Sequence, residues 1–197
     1  MSHYYENDPN LRSKIQKIDV NIKNTSFQLY TDIGVFSKDI LDLGTKTLIE
    51  TVEISDNDKH LIDMGSGYGP IGIYFAKIYP NLKVSMFDIN ERAIELASKN
   101  IELNKLKNIK ATISDLFQKN KTKADVILTN PPIRAGKKTV FNLYEEAHSN
   151  LKEDGRLYVV INRKHGAPSS FKKLEEIFSF VETITKNKGY WIILAKK

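Results

Sequence analysis

The stretch "HLIDMGSGYGPIGIYFAKIY", residues 60–79, decides the fold. Residues 60–65 are a short apolar run, of the length and composition of a buried strand. Gly65, Gly67 and Gly69 follow, and they let a backbone bend tightly and approach a ligand without Cβ clashes. Pro70 then sits where a helix begins, at a position whose N–H has no intrahelical partner anyway. A strand, a glycine turn and a helix in immediate succession predict an α/β protein with its ligand loop at this turn.

The same alternation continues outward. Strands are expected over 83–89, 109–113, 124–130 and 155–162, and helices over 90–104 (capped by Asn90), 139–151 and 169–179. "FVETITK" and "GYWIILAK" flank Asn187-Lys188-Gly189 and read as a closing antiparallel hairpin. Upstream, the alternation in 18–22 and 27–29 around the turn-like "KNTS" predicts another hairpin. Residues 31–45 predict turns and short helical pieces, and 45–54 a helix. The expected architecture is a Rossmann-like, doubly wound α/β fold with a seven-stranded sheet, mostly parallel, ending in an antiparallel hairpin. One domain is expected over 1–197, with 1–30 as an N-terminal extension and hairpin and 31–197 as the core.

Composition narrows the class. Of the 197 residues 41% are hydrophobic, enough to bury a core, and no apolar run approaches a membrane span. The polar start "MSHYYENDPN" lacks the apolar core of a signal peptide, so the cytoplasm is the expected location. The absence of cysteine excludes disulfides, cysteine-ligated zinc and thiol nucleophiles, and the histidines at 3, 60, 148 and 165 are scattered. A net charge of +6 suits an acidic partner such as nucleic acid, and equally a lysine-rich solvated surface.

In a parallel sheet the ligand crevice lies at the carboxyl ends of the strands, so loops 63–70, 88–92, 114–117, 130–138 and 162–168 matter most. About 23 residues beyond Gly65, Asp88 ends a strand where an acid accepts from ribose hydroxyls. Asp63 precedes the glycine turn and would repel a pyrophosphate. It suits a cofactor carrying an amine and a sulfonium and no phosphate, which points to S-adenosyl-L-methionine. Asp115 is a candidate acceptor for an adenine amino group, or a helix N-cap.

"DMGSGYG", "FDIN", "SDLF" and "NPPI" resemble, in order and spacing, the motifs of class I S-adenosylmethionine-dependent methyltransferases. "FQLYTDIGVFSKDILDLGT" followed by "NPPIRAGK" resembles the guanine-N2 methyltransferases of 16S ribosomal RNA. The resemblance spans roughly residues 25–197 and implies ribosomal RNA or the small subunit as partner, with neither metal nor membrane. For the cofactor it implies Thr31, Phe36, Ser66, Ile89, Leu116 and Asn130 beside Asp63, Gly65, Gly67, Gly69, Asp88 and Asp115.

"DVILTNPPIRAGKK" (125–138) carries the acceptor chemistry. Two consecutive prolines end a strand, because neither has an N–H to donate. An exocyclic amine is a poor nucleophile, its lone pair delocalised into the ring. The Asn130 side-chain oxygen and the Pro131 carbonyl, stiffened by Pro132, form an acceptor pair for both of its N–H bonds. Amino methyltransferases of this type usually place an aromatic at the fourth motif position, where a flipped base stacks. Here Ile133 stands there, which makes Phe36 and Tyr68 candidate stacking partners. Arg134, Lys137, Lys138, Arg163 and Lys164 are expected to ring the pocket and meet RNA phosphates. Rival readings are a protein glutamine N5-methyltransferase, a non-catalytic RNA-binding module on the same fold, and a small-molecule methyltransferase.

Overall fold

In a computed structural model the chain is described over residues 14–32 and 41–197. Two strands, β1 (Gln16–Ile22) and β2 (Thr25–Thr31), pair antiparallel as a separate ribbon around a turn at Lys23-Asn24. Helix α1 (Leu43–Thr51) then leads to β3 (His60–Met64), α2 (Pro70–Ile78), β4 (Lys83–Asp88), α3 (Glu91–Leu103), β5 (Ile109–Ile113) and β6 (Ala124–Thr129). Next come α4 (Lys137–Asn150), β7 (Leu151–Asn162), α5 (Ala167–Glu175), β8 (Phe180–Asn187) and β9 (Tyr190–Lys196).

The seven-stranded sheet runs β5-β4-β3-β6-β7-β9-β8, with β9 antiparallel to both its neighbours and the other pairings parallel. The order reverses direction between β3 and β6, and a crevice opens at such a switch point. All five residues of β3 are buried, as expected of a central strand covered on both faces. Its side chains alternate: Leu61 joins the apolar layer with the hairpin, α1, α2 and α3, whereas Ile62 and Met64 join the layer with α4 and α5. Asp63 therefore faces the same side as Leu61, toward α2.

Several boundaries differ from the sequence expectation. Helix α1 covers 43–51, not 45–54, because Asp42 caps it early and Val52 is already extended. Strand β7 starts at Leu151, not 155, and absorbs a register shift against β6, with Asp154 at φ 61° beside Gly155. A Cβ on Gly155 would lie 2.8 Å from the Lys152 carbonyl oxygen, so only glycine fits that bend. Helices α4 and α5 each begin two residues earlier than expected, at 137 and 167.

The N-terminal ribbon is docked by side-chain amides on α3. Asn100 Oδ1 accepts from Tyr30 N–H (2.6 Å), and its Nδ2 donates to the carbonyls of Tyr30 and Tyr68 (both 2.9 Å). Asn104 donates to the Gln28 carbonyl at 2.7 Å. Asn100 is fully buried, so these bonds replace water and tie β2 to the glycine turn.

Candidate active site

The turn after β3 is strapped to β4: the N–H groups of Gly65 and Ser66 both donate to the Phe87 carbonyl, at 2.8 and 3.0 Å. Gly65 has φ +71°, and a Cβ there would meet nothing closer than the Asn130 carbonyl oxygen at 4.0 Å. Its outer side is open, as a cradle for a ligand must be. Gly69 is different. A Cβ on it would sit 3.1 Å from the Met86 sulfur, and one on Gly72 would sit 2.5 Å from the same atom. These two glycines let α2 pack against β4, a role for Gly72 that the sequence did not suggest.

Three buried side-chain atoms here have no hydrogen-bond partner among the described residues: Asp63 Oδ1, Ser66 Oγ and Thr31 Oγ1. Buried polar atoms are almost always paired, and an unpaired one costs about 1–3 kcal/mol. Asp63 and Ser66 lie at the glycine turn, and Thr31 ends β2 next to Tyr30, which Asn100 ties to Tyr68 of that turn; a ligand rich in donors there would complete them. Asp63 Oδ2 accepts from Gly72 N–H at 2.9 Å. Burial pushes the Asp63 carboxyl up to about 7; the Gly72 bond opposes this and the Asp88 charge adds to it. A cation is therefore the natural partner for this group.

Asp88 is buried, its Oδ2 accepting from Gly67 N–H (2.8 Å) and its Oδ1 from Asn90 N–H (2.9 Å). Ile89, next along, exposes 41% of its surface, an apolar side chain left in water. Residues 115–119 form turns, not a helix, so Asp115 is no N-cap. The adjacent Ser114 organises that turn, donating to the Leu116 carbonyl (2.8 Å) and accepting from Lys119 N–H (3.1 Å). Leu116 adopts φ 44°, and Asp115 is exposed.

The acceptor half meets the cofactor half across the β3–β6 pairing. Thr129 Oγ1 donates to the Met64 carbonyl at 2.8 Å, and Asn130 follows at the strand's end. Asn130 Nδ2 donates to Thr45 Oγ1 at 3.1 Å and to Asp42 Oδ2 at 3.4 Å. A carboxylate only accepts, so the amide edge facing α1 is the NH2 and the oxygen points the other way. The Pro131 carbonyl accepts from Ile133 N–H at 2.9 Å, keeping a second lone pair. Residues Ile133–Ala135 form one 3-10 turn, and Ile133 is half-buried against the α4–α5 layer.

Arg134, Lys137, Lys138, Arg163 and Lys164 are all exposed, on the segments that follow the adjacent strands β6 and β7. Lys137 leans over the Phe141 ring, 5.0 Å from its centroid. Tyr68 does not join them: it is only 2% exposed in the apolar layer, and burial, then the Asp42 charge, holds its phenol above the ordinary range. Phe36 lies outside the described residues. Tyr190, which the sequence did not point to, opens β9 opposite Asn162 at the end of β7. A Cβ on Gly44 would lie 2.7 Å from the Tyr190 ring, so the ring covers the start of α1. Burial, then the Asp42 charge, holds its phenol above the ordinary range. Among the described residues no cluster of three or more His, Cys, Asp or Glu could hold a metal, and no helix is long and apolar enough to cross a membrane.

Fold and site together define a class I S-adenosylmethionine-dependent methyltransferase. Comparison with known proteins makes this specific. The chain belongs to the methyltransferase small-domain family, whose model matches residues 26–194. It is 44% identical to the uncharacterized protein YbxB of Bacillus subtilis, over 99% of this chain and 98% of that one. It is 33% identical to ribosomal RNA small subunit methyltransferase C of Psychromonas ingrahamii, over 76% of this chain and 43% of that one. In structure it is similar to the T. thermophilus 16S rRNA N2 methyltransferase solved with AdoMet and guanosine, with TM-score 0.81 and 23% identity, covering 96% of this chain and 52% of that one. The chain thus spans about half the length of the named ribosomal RNA methyltransferases it matches.

Proposed function

We propose that this chain methylates the N2 amine of a guanine in small-subunit ribosomal RNA, acting in the cytoplasm where that RNA is assembled. One observation carries the reading: Asn130 Nδ2 donates to Thr45 and Asp42, which leaves the amide oxygen as an acceptor on its other edge, with the Pro131 carbonyl next in the chain. Two fixed acceptors suit an NH2 group, and they suit a hydroxyl or a ring carbonyl poorly. The ribosomal RNA methyltransferases among its relatives support the substrate class.

S-adenosylmethionine, when bound, supplies an electrophilic methyl group on a sulfonium. Asp63, Ser66 and Thr31 would give its donors the partners they now lack, Asp88 would accept from the ribose, and Ile89, Asp115 and Leu116 would border the adenine. Gly65 leaves room for the ligand's approach at the point nearest Asn130. Asn130 and Pro131 accept from the amine and favour the pyramidal nitrogen that develops as it attacks. The nitrogen's surplus proton then leaves to solvent, since the nearest carboxylate, Asp42, is engaged by the α1 N–H groups and by the Asn130 NH2 on the edge away from the amine. Arg134, Lys137, Lys138, Arg163 and Lys164 would dock phosphates around the base.

The test is methyl transfer from labelled cofactor to naked ribosomal RNA, 30S particles and total protein, followed by nucleoside analysis. N2-methylguanosine in the RNA is expected. Label on protein alone, or on an adenosine, would overturn the reading.

A further inference from the structure

Resting on that reading, we infer that Asp42 and Thr45 are positioning residues that make Asn130 an acceptor-only group and thereby select an amine. Neither residue belongs to the Asn-Pro-Pro motif; they lie 88 and 85 residues from Asn130 in the chain. Asp42 has a separate role for each of its two oxygens. Oδ1 caps α1, accepting from Gly44 N–H at 2.9 Å and Thr45 N–H at 3.2 Å. Oδ2 faces Asn130 Nδ2. The cap fixes the carboxylate on a helix end, and the carboxylate in turn fixes which way the amide points.

The choice matters because an asparagine amide is nearly symmetric in shape. Turned over, it would offer two donors to the substrate and its oxygen to α1. Thr45 alone cannot prevent this, since a hydroxyl both donates and accepts. Only the carboxylate makes the flipped state unfavourable, by setting an oxygen against an anion. Thr45 is 3% exposed and the Tyr190 ring lies over Gly44 next to it, whereas Asp42 and Asn130 are half-buried, so the carboxylate and not the exclusion of water sets the preference.

Asp42→Asn isolates this role. Asparagine caps a helix as well as aspartate does, so α1 keeps its start. It can also donate to the Asn130 oxygen, so the flipped amide becomes tolerable. The expected result is a fall in kcat of about 10- to 100-fold, of the size that misplacing a reacting group produces. Cofactor affinity by calorimetry and the melting temperature should stay near wild type. Thr45→Val leaves the carboxylate to set the orientation and removes only the 3.1 Å bond that holds the amide in place, so kcat should fall by less than in Asp42→Asn. In an Asn130→Ala background Asp42→Asn should cost nothing further, because the group it orients is gone. Full activity in both single variants, with Asn130→Ala inactive, overturns the positioning role alone. An active Asn130→Ala overturns the proposed function beneath it.

Discussion

The two halves of the crevice are built on opposite principles. On the β3–β4–β5 side the polar groups are buried and in part unpartnered: Asp63 Oδ1, Ser66 Oγ and Thr31 Oγ1 have no protein partner among the described residues. On the β6–β7 side the key polar group is saturated on its inner edge, with Asn130 held by Thr45 and Asp42, and the rim is exposed and basic. The first half carries an energetic cost that a bound ligand would remove. The second is pre-organised and needs no ligand to take its shape. Each design suits what its half must do. Under the proposed function, one would hold a small cation tightly, and the other would present fixed acceptors to a base that arrives on a large anionic partner.

The contrast predicts which substitutions affect which half. Ile133→Asp should have the largest effect. It places a carboxylate half-buried against the α4–α5 layer, where the proposed base would lie, and burying an unpaired ion costs several kcal/mol. Turnover should fall to background in a labelled-transfer assay, whereas Ile133→Phe should keep activity. Asp88→Ala should come next, weakening cofactor binding by about 2–3 kcal/mol in calorimetry while leaving RNA binding unchanged. It also frees the N–H groups of Gly67 and Asn90, so a lower melting temperature should accompany it.

Neutralising Arg134, Lys137 and Lys164 together should do the converse. RNA affinity should fall and its salt dependence flatten by about one unit of slope per lost phosphate contact, with cofactor affinity unmoved.

The smallest effect expected is on pH. Asp63 titrates near 7 in the folded protein against 3.8 ordinarily. A cationic ligand needs the carboxylate, so cofactor affinity should fall as pH drops below 7, by about tenfold per unit well below it, with proton release on binding. The sign for stability is opposite. With the folded value raised, the unfolded chain gives up its proton first, so the ligand-free protein loses stability from about pH 4 up to about 7 and changes little above. Asp63→Asn should therefore raise the melting temperature of the ligand-free protein at pH 8 and abolish the pH dependence of binding. A melting temperature unchanged by that substitution would show that Asp63 carries no buried charge.

The candidate cofactor half could be assembled from the sequence because its residues are local to one turn and the next strand. Asp63, Gly65 and Asp88 announce themselves by spacing. Spacing could not tell apart what each glycine does. Gly65 faces open space and Gly69 faces the Met86 sulfur, a difference set by the neighbouring strand. The acceptor half was legible only at "NPPI". Asp42, Thr45 and Tyr190 reach it from other elements, α1 and β9, and only the assembled sheet brings them there. The signal that could have flagged the first two is "DLGT", an aspartate placed to cap a helix within reach of its own third residue. The same distance effect hid the place of Tyr68, which sits in the glycine turn yet is buried in the apolar layer, its phenol under the influence of the Asp42 charge.

The separation of the two halves, with Asn130 in the second, can be probed on one preparation of folded Asn130→Ala. The measurement is cofactor affinity together with single-turnover methyl transfer to small-subunit ribosomal RNA. Removing one oriented polar group of this kind lowers the rate by about 100- to 1,000-fold. We expect that loss with cofactor affinity near wild type and the trace product still N2-methylguanosine. A variant that binds the cofactor poorly, or one that transfers methyl groups at close to the wild-type rate, would contradict the separation.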